Sequence, residues 1–200
     1  MNVYRKHLIL TMIVASALLT ASAQSPAIDP SLLSKANAGD AAAQVQIGDA
    51  FRAAGDALIR QPLLSAEYYK QAVTWYRKAA EQGSIPGDMH LASLYRDGGK
   101  GFARDMAQAA AWYRKAAELG DVTAQASLGV LYSIGQGVPH DDVEAYFWLD
   151  LAASVKGPNQ DKYAANRQMV GTHITTQELA EVQDRVAAWL AAHPRPATTE

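Results

Sequence analysis

The chain has no cysteine among its 200 residues. That absence excludes a disulfide framework, a thiolate metal site, a cysteine nucleophile and a lipidated cysteine, so the fold must hold by packing alone. Excess charge is missing as well: 18 Lys and Arg stand against 20 Asp and Glu, a formal charge of −2. No basic balance of the kind that nucleic-acid binding needs is present. Histidine is sparse, at five residues. His90, His140, His173 and His193 have no second histidine three or four positions on, so neither a zinc pattern nor any other cofactor pattern emerges. Catalytic loops are missing too: there is no G-x-S-x-G elbow, no Walker-type loop and no Ser-x-x-Lys, and Gly98-Gly99-Lys100-Gly101 reads as a turn.

Near the start, Arg5 and Lys6 precede an apolar run from Leu8 to Thr20 and then Ala21-Ser22-Ala23. These are the three regions of a secretory signal peptide, with cleavage expected after Ala23. The thirteen residues of the run fall short of the roughly 20 that cross a hydrocarbon core, so no membrane span is expected after cleavage. The mature chain would begin at Gln24 and carry 16 Lys and Arg against 20 Asp and Glu. Its expected place is the periplasm or the exterior.

What the chain does have is a repeat. Trp-Tyr-Arg-Lys-Ala-Ala-Glu occurs without change at Trp75 to Glu81 and at Trp112 to Glu118, and a looser copy begins at Trp148. The three tryptophans are 37 and 36 positions apart, a period that means stacked supersecondary units. Upstream of each lies a second register of small, large, small and aromatic residues: Ala43, Ile47, Gly48, Phe51; then Gly87, Leu91, Ala92, Tyr95; then Ala124, Leu128, Gly129, Tyr132. That spacing is one face of an α-helix, and its small residues admit a neighbouring helix. In the helices carrying the heptapeptide, Trp112 and Trp148 stand between alanines and read as knobs in a core.

Punctuation agrees with this. Gly39-Asp40, Gly83-Ser84 and Gly120-Asp121 each set a glycine able to end one helix before a residue able to cap the next. Asp29-Pro30 opens a short leading helix. Asp105 to Gln108, Asp141 to Glu144 and Thr175 to Glu178 have capping-box form. Between Phe51 and Trp75 the first unit holds seven more residues than the second holds between Tyr95 and Trp112. The insertion is expected either to extend the helices or to lengthen the loop.

The residues from Ala124 to Trp148, together with Trp75 to Gly83, closely resemble the Sel-one-like repeat family, a relative of the tetratricopeptide repeat. The resemblance covers about residues 31–157. It implies an all-α fold, a right-handed α/α solenoid of about three hairpins (near 40–83, 84–120 and 121–157), with a capping helix at each end. The domain would span 24–193, with its C-terminal cap at 158–193 and a disordered tail at 194–200. It further implies an adaptor for protein assemblies; the expectation is a non-catalytic module, monomeric by itself, that binds another protein, with a narrower version in which it acts as an inhibitor or immunity protein.

In such a solenoid the first helix of each pair lines the concave side. The partner-facing positions would then be Gln46, Asp49 and Arg52, then His90, Ser93 and Arg96, then Ser127, Val130 and Ser133. The competing reading is a periplasmic enzyme acting on cell-wall or β-lactam-type substrates. It rests on His140 beside Asp141, Asp142 and Glu144, residues that equally suit a solvated helix start.

Overall fold

The computed structural model describes residues 25–58 and 60–194. The leader read at 1–23 and the tail beyond Pro194 lie outside the described residues. Nine α-helices and no strand occur among the described residues: α1 (Pro30–Asn37), α2 (Ala41–Ala57), α3 (Pro62–Ala80), α4 (Ile85–Asp97), α5 (Met106–Glu118), α6 (Val122–Ile134), α7 (Asp142–Ala153), α8 (Gln160–Gly171) and α9 (Thr176–Ala192). The fold class is an all-α solenoid of helical hairpins. Two compact units divide the chain: one runs to Trp75 and takes in Gly99–Phe102, and the other holds Tyr76–Gly98 and the chain from Ala103 onward.

In the first unit the Asp29 carboxylate accepts from the Ser31 and Leu32 amides at 2.7 and 3.2 Å, capping α1 ahead of Pro30. Gly39 then takes φ 99° and Asp40 caps α2 by accepting from Ala43 N–H at 2.8 Å. Ala36, Ala43 and Ile47 bury one another, with Leu32, Phe51 and Trp75 packed around them. The insertion resolves into helix rather than loop. Helices α2 and α3 have 17 and 19 residues where α4 and α5 have 13 each. Their added turns are tied together: Ser65 Oγ donates to the Gly55 carbonyl at 2.7 Å, and the Tyr69 hydroxyl donates to Asp56 at 2.6 Å.

The second unit repeats the same joints. Ser84 and Asp121 cap α4 and α6, accepting from Gly87 and Ala124 N–H. Gly129 is what lets α6 lie on α7, because a Cβ there would stand 2.7 Å from Leu149 Cγ and 3.0 Å from the Ala145 carbonyl. The same crowding holds at Gly87, where a Cβ would fall 2.8 Å from Ala80 N. Trp112 and Trp148 are buried, whereas Trp75 in the first unit is only half-buried. The heptapeptide's tyrosines, Tyr76 and Tyr113, are buried more deeply still, at 0% and 2% exposure. They, more than the tryptophans, are the knobs. Of the three capping-box sequences, only Thr175 and Glu178 form both reciprocal bonds. At Asp141 the cap forms, but Glu144 pairs with Arg185 of α9 instead.

One buried position recurs in every repeat. Gln44 donates from Nε2 to the Ala36 carbonyl at 3.0 Å, and Gln125 donates to the Ala117 carbonyl at 3.2 Å. Each amide thus adds a side-chain donor to a last-turn carbonyl of the preceding helix that also accepts from the turn glycine, Gly39 or Gly120. Asp88 occupies this position in the middle repeat, 1% exposed, and its Oδ1 has no hydrogen-bond partner among the described residues. Burial pushes its pKa up to about 6, against the opposing pull of Lys115.

Two outcomes follow for stability. Trp112→Ala should cost about 3–5 kcal/mol through the cavity it leaves, measured by urea denaturation; a loss under about 1 kcal/mol would remove Trp112 from the core. For Asp88 the folded pKa lies above the unfolded value, so the native state holds the extra proton. Stability is then lost as pH rises from about 4 through 6. Asp88→Asn is therefore expected to stabilise the chain by about 1–3 kcal/mol at pH 7.5, with the gain shrinking as pH falls to 4. A gain independent of pH would show that Asp88 does not bind that proton.

Candidate partner-binding cleft

A cleft of about 630 Å³ opens in the second unit, where the end of α4, the start of α5, the face of α6 and helix α8 converge. Its end is closed by Tyr163 of α8, which buries against Ala126 of α6 and Ala152 and Ala153 of α7. The floor is apolar, carrying Met106, Val130, Leu131 and the exposed Ile134. Four charged side chains line it: Arg96, Asp97, Arg104 and Lys162.

Arg96 is held rigidly. Its Nη1 donates to the Tyr113 hydroxyl at 2.7 Å, while Nε and Nη2 donate to the Asp97 carboxylate at 2.8 and 3.2 Å. The Asp97 bond raises the Arg96 pKa further, and burial raises that of the Tyr113 phenol, so the first stays cationic and the second neutral. Arg104 and Lys162 are exposed and make no ion pair among the described residues.

Of the nine positions read as partner-facing, the structure brings Arg96, Ser127 and Val130 together in this cleft. Ser93 and Ser133 are half-buried and donate to carbonyls of their own helices, those of His90 and Val130. His90 is stacked on Tyr76, ring centroids 4.9 Å apart and 9° from parallel. Gln46 and Asp49 are exposed and Arg52 half-buried on α2, in the first unit. Sequence reasoning missed Tyr113 and the α8 residues Lys162, Tyr163 and Asn166. Only the polar character of 160–170 signalled the latter.

The cleft holds no pairing of nucleophile with base: no histidine lines it, and Ser127 donates to the Thr123 carbonyl of its own helix at 2.7 Å. The acidic cluster that suggested catalysis is occupied elsewhere. Asp141 caps α7, Glu144 pairs with Arg185, and Asp142 Oδ2 lies 3.3 Å from His140 and 3.5 Å from His173. The two histidines, remote in sequence, thus share one carboxylate. No group of three or more such ligands among the described residues is placed to hold a metal ion, and no described helix is long and apolar enough to cross a membrane.

Helix pairs joined at recurrent capped glycines define the chain as an α/α repeat protein. Residues 41–84, 88–121 and 122–154 each match the Sel1 repeat, and the chain belongs to the Sel1 repeat family. Among solved structures it is similar to c5321, "a protective antigen present in uropathogenic Escherichia coli strains displaying an SLR fold". The two are 33% identical over 80% of this chain and 32% of that one, with a TM-score of 0.62. The chain thus spans about a third of that protein's length. It is also similar to a Sel1 repeat protein from Oxalobacter formigenes, 31% identical over 69% of this chain and 95% of the other, with a TM-score of 0.54. No curated protein shows a significant match. Sel1 repeats generally serve as protein-interaction modules and typically are not enzymes.

Tyr113→Phe should cost about 1–2 kcal/mol, because it removes the acceptor of a charged donor in a partly buried setting. Urea denaturation at neutral pH measures it, and an unchanged midpoint would mean that the tyrosine does not anchor Arg96.

Proposed function

We propose that the chain is an exported, non-catalytic interaction module that binds another protein on its helix faces and thereby restrains or scaffolds it. In the second unit the binding face carries His90, Ser93, Arg96, Ser127, Val130 and Ser133; in the first it carries Gln46, Asp49 and Arg52. One observation carries this reading: α4, α5, α6 and α8 leave an open cleft with an apolar floor and a pre-set arginine, but with no reactive pair. Apolar anchors ringed by ordered polar groups are how protein surfaces gain affinity. Export rests on the leader pattern at residues 1–23, and inhibition or neutralisation of a partner suits a small module with no chemistry of its own.

The test is affinity capture from periplasmic extract with the chain from Gln24 onward as bait. A specifically retained protein should bind Arg96→Glu and Val130→Glu variants at least about tenfold more weakly, with thermal unfolding showing both variants folded. Equal retention by both would remove the second-unit face from the interaction. No specific retention by the parent chain would overturn the interaction reading itself.

A further inference from the structure

The charges around the cleft are lopsided. Arg96 and Asp97 neutralise each other through two hydrogen bonds, which leaves Arg104 and Lys162 as a surplus of positive charge on a chain whose formal charge is −2. Neither is spent on the fold. Asp105, next to Arg104, has its carboxylate engaged in capping α5, where it accepts from Gln108 N–H at 3.0 Å. The contrast with the neighbouring cavity near α7, α8 and α9 is direct, because there Arg167 is already tied to Asp150 at 2.5 Å.

The same cleft that carries the two uncommitted cations is lined by the apolar residues Met106, Val130, Leu131 and Ile134, the last 58% exposed. A cleft of about 630 Å³ falls in the roughly 300–1,000 Å³ range of sites that enclose a small or short-chain ligand. An occupant that answers this lining offers acidic groups to the two cations and apolar side chains to the floor. A nucleic acid would bring the anions without the apolar side chains, and an all-apolar segment would leave both cations unanswered.

We infer that the cleft recognises a short acidic segment of a partner protein, in which carboxylates meet Arg104 and Lys162 while an intervening large apolar side chain sits against Val130 and Ile134. This rests on the interaction reading above and names the chemistry of its partner. Lys162 comes from α8, outside the matched repeats, so the specificity is particular to this chain's cap rather than to the repeat.

The probe is a fluorescein-labelled peptide alternating aspartate with leucine, titrated with the mature chain by fluorescence anisotropy. Its two controls are the same peptide with asparagine for aspartate and with serine for leucine. Saturable binding is expected, weakened at least tenfold by either control, and weakened steeply between 50 and 300 mM salt, as pairing at exposed cations requires. Arg104→Glu with Lys162→Glu, both exposed and outside the core, should reduce probe affinity by tenfold or more while the unfolding midpoint stays unchanged. No binding of the acidic probe, or binding indifferent to the double charge reversal, overturns the inference. If a protein captured by the parent chain is lost on Val130→Glu but retained by the Arg104→Glu, Lys162→Glu variant, the interaction face stands and the acidic specificity falls.

Discussion

Every joint between hairpins faces the same problem: the last carbonyls of one helix are buried by the next helix before any water can reach them. This chain answers it the same way each time. A glycine at positive φ turns the chain, at Gly39, Gly83 and Gly120, with φ of 99°, 77° and 91°. The residue after it sends its amide back, from Asp40 to Lys35, Ser84 to Ala79 and Asp121 to Ala116, at 3.0–3.2 Å. At the first and third joints a buried glutamine four residues further on supplies another donor. Because these bonds fix where the next helix begins, they also fix which of its side chains face inward. At the middle joint Asp88 puts a carboxyl where its counterparts put an amide, which is why that joint alone carries a buried, proton-hungry acid.

What could be read from residues alone is what these joints dictate locally. Caps and turn glycines depend on neighbours within five residues, and the structure places them as their spacing implies. Burial across the bundle was less legible. Adjacent Trp112 and Tyr113 are both large and aromatic, and only the rotation of α5 against its neighbours puts Tyr113 deeper. The added residues of the first unit were ambiguous for a similar reason. A polar, alanine-rich stretch can be loop or helix until Tyr69 finds Asp56 and Ser65 finds Gly55 across the pair.

The cleft was harder still, because it is not a property of the repeat. Position-by-position comparison identified Arg96, Ser127 and Val130, which belong to the repeating face, but it has no register for α8. That helix packs broadly on α7 and only narrowly on α6. It does not lie along the whole groove beside Val130. Instead Tyr163 fills one end, and the remainder stays open.

A repeat scaffold can therefore acquire a particular binding preference without disturbing its own stability. The interior positions are tied to the joints: Gly129 admits no Cβ, and Leu128, Leu149 and Leu151 are buried. Arg96 is semi-structural, since its guanidinium is divided between Tyr113 and Asp97. Arg104 lies in the loop before α5 and Lys162 in the cap, so either can change with little consequence for packing. The apolar floor and the two free cations are thus separable in the sequence. The floor is carried by α5 and α6, whereas the two free cations stand in the loop before α5 and in the cap, where packing leaves the residue open to change.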